Sequence, residues 1–268
     1  MEPGKGYYEI PANIKSLKKE TENVYSAVLS AGNEMGSSIP GQFINVQVSQ
    51  EFNSPVLRRP FAVSSVNGNE FEFIFSVVGR GTKLLAGMLE TQKTINVLGP
   101  LGNGFIDGEA GRKLLIAGGL GIAPIKRLAD HFHDMNIPVT ILWGNRTSSD
   151  FFDTVHYNRE NSEILCSTDD GSKGFTGNVL DLLKNELGSG NIGSLNNYDI
   201  FAVGPDPMMR SVAEFVERNN ARCQVSLETP MACGMGVCQG CAVKKRDSEG
   251  YYLVCKDGPV FYSDQIVF

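Results

Sequence analysis

An α+β chain in three parts is predicted: an antiparallel β-barrel, an α/β unit on a parallel sheet, and a small C-terminal segment organised by cysteines. Three observations carry this expectation. Short alternating apolar and polar runs fill the first hundred positions, strand and helix signals alternate from Lys113 onward, and four of the six cysteines fall between Cys233 and Cys255. At 268 residues, 41% hydrophobic and 20% charged, the chain has enough apolar residues for real cores and too little charge for disorder. Lys and Arg number 24 against 30 Asp and Glu, a net charge of −6 with no basic block. That balance argues against nucleic acid or an anionic membrane as a partner.

The barrel is read first. Ile44, Val46 and Val48 alternate with Asn45 and Gln47, and Phe71, Phe73 and Phe75 alternate with Glu70 and Glu72. Residues 24–29 and 94–98 are further β-rich runs, separated by turn pairs such as Pro40-Gly41, Asn67-Gly68 and Gly99-Pro100. One helical patch at 83–89 interrupts them. Short strands with Gly and Pro punctuation predict a small antiparallel barrel.

From Lys113 the periodicity changes. An apolar run at 114–117 leads into Gly118-Gly119-Leu120-Gly121, and Ile125, Leu128, Ala129 and Phe132 then follow helical spacing. Strands are expected at 139–143, 164–166 and 199–203, and helices through Val179, Leu182 and Leu183 and through Met209, Val212, Ala213 and Val216. This alternation predicts a parallel sheet covered on both faces. The boundary with the barrel is expected at 108–111. Beyond 224–228 too few apolar residues remain for an independent core.

The most specific motif is Cys233-Gly234-Met235-Gly236-Val237-Cys238-Gln239-Gly240-Cys241, closed by Cys255. The spacing C-x4-C-x2-C matches plant-type [2Fe–2S] proteins, where a distant fourth cysteine completes the site. Glycines between the ligands let backbone N–H groups approach sulfur. Four-thiolate zinc is the alternative, although zinc favours paired C-x2-C knuckles and one such pair is present. Isolated Cys166 and Cys223 belong to neither reading.

Two weaker motifs concern phosphate. Arg58-Arg59-Pro60-Phe61-Ala62-Val63-Ser64 is read as a turn between strands, and Gly79-Arg80-Gly81-Thr82 as a helix start. Together they offer an Arg fork, glycine N–H groups and a hydroxyl for a pyrophosphate. Separately, the first is a solvated loop and the second a capped turn. Gly118, Gly119 and Gly121 with Pro124 lie between a strand and a helix, the setting of a dinucleotide turn. The third glycine of the usual fingerprint is absent, so a purely steric turn stays open.

These motifs occur in one order with Pro40-Gly41-Gln42-Phe43, Thr168-Asp169-Asp170-Gly171-Ser172, Gly204-Pro205 and the closing Val254-Cys255-Lys256-Asp257-Gly258-Pro259-Val260-Phe261. In that arrangement the chain resembles the ferredoxin reductase superfamily, and within it the electron-transfer subunits of NAD-dependent dihydroorotate dehydrogenase. The resemblance implies FAD in a barrel unit, 1–109, NAD in an α/β unit, 110–222, and a [2Fe–2S] cluster in a third, 223–268. It implies Arg59 and Pro60 at the FAD pyrophosphate, Phe61 and Ala62 beside the isoalloxazine, backbone contacts from Ile74, Phe75 and Ser76, and phosphate contacts from Gly81 and Thr82. Gly118, Gly119, Gly121 and Gly204 would admit NAD, and Cys233, Cys238, Cys241 and Cys255 would hold the cluster.

The partner so implied is a catalytic subunit that carries FMN and oxidises dihydroorotate, in a cytoplasmic heterotetramer with two copies of each chain serving pyrimidine biosynthesis. Electrons would pass from FMN through the cluster and FAD to NAD, with no catalytic acid or base on this chain. Its His131, His133 and His156 are read as surface residues. Met231, Met235 and Val237 would cover the cluster or face the partner. Two positions depart from the family pattern: Ala62 replaces a Ser, and Val203 replaces a Cys. After the strand at 139–143 comes Gly144-Asn145-Arg146, with no acidic residue to read a ribose hydroxyl. Arg146 even suits a 2′-phosphate. Within enzymes, a subunit of ferredoxin–NADP transhydrogenase, sulfide dehydrogenase or a hydrogenase would use the same cofactors. Outside them stands a zinc-stapled nucleotide-binding regulator. The opening residues 1–10 lack a signal-peptide core, and the apolar stretch 114–125 carries three glycines, so a soluble cytosolic chain is expected.

Overall fold

The structure, a computed structural model, describes residues 9–32, 35–49, 55–246 and 248–268. Residues 1–8, part of the expected first unit and of its opening stretch, lie outside the described residues. The first half is a closed six-stranded antiparallel barrel. It comprises β1 (Glu9–Lys19), β2 (Val24–Ser30), β3 (Phe43–Val46), β4 (Arg59–Asn67), β5 (Glu70–Ser76) and β6 (Thr94–Leu101), joined in the order β1-β2-β5-β4-β3-β6 with β6 returning to β1. Alternation turns Ala27, Leu29, Ile44, Val46, Phe71, Phe73 and Phe75 into one core. Helix α1 (Arg80–Thr91) plugs that core with Leu85 and Leu89.

The Arg58–Ser64 motif is not a turn between strands. Arg59 begins β4, which pairs with β3 over Arg59 to Ala62 and with β5 from Val63 onward. Pro60 therefore sits where no β5 partner needs its missing N–H.

The second half is a seven-stranded sheet with helices on its faces. In chain order it contains β7 (Arg112–Gly118), α2 (Ile122–Asp134), β8 (Val139–Asn145), α3 (Thr154–Tyr157), β9 (Ser162–Thr168), β10 (Phe175–Thr176), α4 (Val179–Ser189), β11 (Tyr198–Val203), α5 (Asp206–Arg218) and β12 (Cys223–Ser226). A hairpin follows, β13 (Ala242–Lys244) with β14 (Tyr251–Leu253), and then β15 (Val260–Tyr262). The sheet order is β10-β9-β8-β7-β11-β12-β15, parallel except for β15. Strand order reverses between β7 and β11, and in open α/β sheets ligands bind at the carboxyl ends beside such a reversal.

Strands β12 and β15 both fall inside 223–268, so the cysteine segment is stitched into the sheet edge. Among the described residues it has no core of its own. Cys241, Val254, Cys255 and Ile266 share one apolar cluster with sheet residues and with Phe43, Leu98 and Leu101 of the barrel. Polar contacts fix the halves as well. Lys126 of α2 donates to Glu72 of β5 at 2.7 Å, and Ser64 reaches the same carboxylate at 2.9 Å. At the start of β7, buried Lys113 is held by Asp199 and by the carbonyls of Gly108 and Ala110 in the connecting stretch. Among the described residues, no helix is long and apolar enough to cross a membrane.

Candidate functional site

A cleft of about 520 Å³ opens between the barrel and the sheet. Pro60, Phe61, Ala62, Ile74, Phe75, Ser76 and Thr82 line it from the barrel, all seven expected from the sequence. Arg59 and Gly81 do not line the cleft but sit next in sequence to Pro60 and Thr82, which do. They meet each other: a Cβ on Gly81 would lie 2.8 Å from Arg59 Nε, so the guanidinium rests on the bare first turn of α1. The first N–H groups of a helix lack intrahelical partners, so guanidinium and helix start together make an anion cradle. The Thr82 hydroxyl already accepts from the N–H groups of Val78 and Gly79 and donates to the Gly79 carbonyl, capping α1. Arg58 is not solvated. It pairs with Glu9 at 2.6 Å and donates to the Asn96 carbonyl, bracing the barrel instead of the cleft.

A second cleft, about 400 Å³, lies at the strand reversal. Gly118 and Gly119 line it, while Gly121 and Gly204 shape it from behind. A Cβ on Gly121 would fall 2.0 Å from the Val203 carbonyl oxygen, so any side chain there would push the β7–α2 turn away from β11. Trp143, the chain's single tryptophan, donates its indole N–H to the Gly119 carbonyl at 2.9 Å and holds the turn in place. Gly121→Ala should destabilise the fold by about 1–3 kcal/mol, because the added methyl overpacks the turn against β11, and thermal unfolding measures this.

The four C-terminal cysteines meet as two pairs. Cys241 Sγ and Cys255 Sγ are 3.2 Å apart, and Cys233 and Cys238 form the other pair. Sulfur accepts backbone N–H bonds throughout: Met235 and Cys238 donate to Cys233 Sγ at 3.4 Å, Gly236 to Cys255 Sγ at 3.1 Å, and Cys255 to Cys241 Sγ at 3.4 Å. Burial alone would raise the Cys233 thiol, but the N–H groups of Cys238 and Met235 outweigh it and bring it to about 6. Cys255 is pushed up to about 12 by burial and by the Cys241 thiol. A binuclear core takes two thiolates per iron, which two pairs supply, whereas a single zinc ion needs all four at one point. Among the described residues, no three His, Cys, Asp or Glu side chains gather around one ion position.

Tertiary structure adds residues that the motifs did not indicate. Glu228 and Thr229, at the exit of β12, line the larger cleft, where desolvation and then Asp206 hold the Glu228 carboxyl above its ordinary range. Asp150 and Asp169 join Arg146 in the smaller cleft, so carboxylates absent from the end of β8 arrive from later loops. The histidines stay outside both clefts. His131 contacts Asp107 and His156 contacts Asp130, each partly buried and hydrogen-bonded to a carboxylate rather than free on the surface. Met235 packs against the shared core, while Val237 is 76% exposed.

Comparison with known proteins agrees with this geometry. Residues 228–267 match the family described as the iron-sulfur cluster binding domain of dihydroorotate dehydrogenase B, and 115–214 match the oxidoreductase NAD-binding domain. The chain is 35% identical to the electron transfer subunit of dihydroorotate dehydrogenase B (NAD(+)) from Lysinibacillus sphaericus, over 92% of this chain and 94% of that protein. It is 34% identical to the same subunit of Geobacillus kaustophilus, over 95% and 96%. Among solved structures, the NADH-dependent reduced ferredoxin–NADP oxidoreductase superposes with a TM-score of 0.83 at 25% identity, covering 99% of this chain and 91% of that one. The ferredoxin reductase of carbazole 1,9a-dioxygenase, at 20% identity and a TM-score of 0.67, shares the fold.

Proposed function

Because this chain belongs to the family of electron transfer subunits of dihydroorotate dehydrogenase B (NAD(+)), we propose that it carries electrons from a catalytic partner through [2Fe–2S] and FAD to NAD. FAD occupies the larger cleft, NAD the smaller one, and Cys233, Cys238, Cys241 and Cys255 hold the cluster. The functional units are 1–109, 110–222 and 223–268. One observation supports the reading: the two clefts and the core around the cysteines share lining residues in series. Ser76 and Leu120 line both clefts. On the other side, Phe43 and Met231 line the larger cleft and belong to the apolar cluster that buries Cys241 and Cys255. FAD thus lies between a two-electron hydride carrier and a one-electron carrier, and it is the group able to exchange electrons with both.

The chain's own residues bind and orient. Arg59 and the α1 start hold the FAD pyrophosphate, while β4 and β5 present apolar and backbone surface to the ring. Ala62 and Val203 replace a hydroxyl and a thiol of the family pattern, so packing rather than polar contact sets the nicotinamide against the flavin. Asp150 and Asp169 counter Arg146 and disfavour a 2′-phosphate, in keeping with NAD over NADP. Proton chemistry on dihydroorotate belongs to the partner, and no catalytic acid or base is required here.

The partner carries FMN, and the complex holds two of each chain in the cytoplasm. Affinity purification of the tagged chain from its native cell should bring down an FMN subunit that oxidises dihydroorotate; recovery of a different redox partner overturns the reading. Exposed Val237, beside the exposed ligand Cys238, marks the contact surface. Val237→Glu should weaken partner binding at least tenfold, because a buried charge at an interface centre is strongly unfavourable, without changing the visible spectrum. Titration of one purified subunit with the other measures this directly.

A further inference from the structure

Side chains of β3 alternate across the barrel wall. Ile44 and Val46 enter the barrel core, while Phe43 and Asn45 face the other way. Phe43 lines the larger cleft. Asn45, 1% exposed, presses on the cysteine loop: a Cβ on Gly234 would lie 2.0 Å from Asn45 Nδ2 and 3.4 Å from Leu101. Gly234 directly follows Cys233 and holds a φ of +73°, so the loop comes this close only without a side chain. The neighbours are apolar: Leu98 lies opposite Asn45 on β6, and Leu101 meets the same Gly234 position. The Oδ1 of Asn45 is buried with no hydrogen-bond partner. A leucine would fill this place without leaving a buried polar atom unpaired, so the carboxamide calls for a reason on the cysteine side.

We propose that Asn45 is a positioning residue through which the flavin barrel tunes the iron–sulfur cluster, its Nδ2–H serving sulfur at the Cys233 corner. The inference rests on the four cysteines being the cluster ligands. With two ferric ions, two sulfides and four thiolates the oxidised site carries −2, and one electron makes it −3. An N–H donor stabilises the −3 state more than the −2 state, so it raises the cluster's potential. Because Asn45 and Phe43 share one strand, the same backbone that walls the flavin cleft sets this donor.

The test uses the complete chain bound to its catalytic partner. In Asn45→Leu, an EPR-monitored redox titration should show the reduced-to-oxidised cluster ratio about tenfold lower at the wild-type midpoint, a shift of ~59 mV to more negative potential. The FAD midpoint should not move. A cluster midpoint equal to wild type, or an equal fall at FAD that marks general distortion, overturns the proposal. Should Asn45→Leu load no cluster, Asn45→Ala removes the donor with less bulk and adds no charge, and the same fall is expected. The wild-type protein gives a third reading, free of folding effects. Asparagine labelled with ¹⁵N in its side-chain amide should give a weak nitrogen coupling in pulsed EPR of the reduced cluster, and its absence overturns the proposal. A cluster that persists unchanged in Cys238→Ala would instead overturn the ligand assignment.

Discussion

Cys238→Ala is expected to abolish dihydroorotate-to-NAD electron transfer while NADH oxidation by a soluble dye continues near its normal rate. Cys238 is the exposed member of the Cys233 pair, and in the proposed cluster its loss would remove one of the four thiolates. Neither cleft is lined by a residue of the 233–241 loop, and the barrel and the α2 side of the sheet have separate cores. The cluster absorbance should therefore vanish and the flavin spectrum remain. Normal coupled turnover in this variant would place the cluster off the path. Loss of dye reduction with FAD still bound would show that the loop supports the nicotinamide site.

Arg59→Ala should release FAD and leave the cluster in place. A hydrogen bond to a charged group contributes about 1.5–3 kcal/mol, which predicts FAD binding weaker by roughly tenfold to a hundredfold. Flavin fluorescence in the filtrate after ultrafiltration reads the loss, and complete flavin retention would remove Arg59 from the site. Arg58→Ala is the matched control. Its partners are Glu9 and the Asn96 carbonyl, so it should cost at most about 1 kcal/mol of stability and no flavin.

Much of this was legible because the signals are local. The cysteine spacing, the glycine turn after β7 and the aromatic alternation of β5 each lie within a few residues, and each emerges where its pattern indicates. Strand β1 did not announce itself: a bulge between Ile14 and Ser16 breaks its two-residue period. Arg58-Arg59-Pro60 has turn composition, yet pairing on both sides makes it strand. Asp150 and Glu228 reach the clefts only through the order of strands in the sheet, which no short window contains, and Asp169, though part of a quoted motif, showed no role until the fold brought it to the smaller cleft. Asn45 reads as the polar, water-facing half of an alternating strand. The barrel's outer face is not solvent there, because a segment some 190 positions later covers it.

That cover has a consequence for cells short of iron. The barrel core draws on residues 10–97 and can close as the chain is made, whereas the second core, joining α2 to the sheet, also takes Val260 of β15. The bed for the cysteines needs β12, β15 and the barrel wall together, and it is complete only afterwards. Iron starvation should then leave a folded flavoprotein that still oxidises NADH but is cut off from its partner's electrons. Metal supply, rather than folding, would decide how much of the pool is wired to pyrimidine synthesis, and restoring iron and sulfide to protein already made should reconnect it.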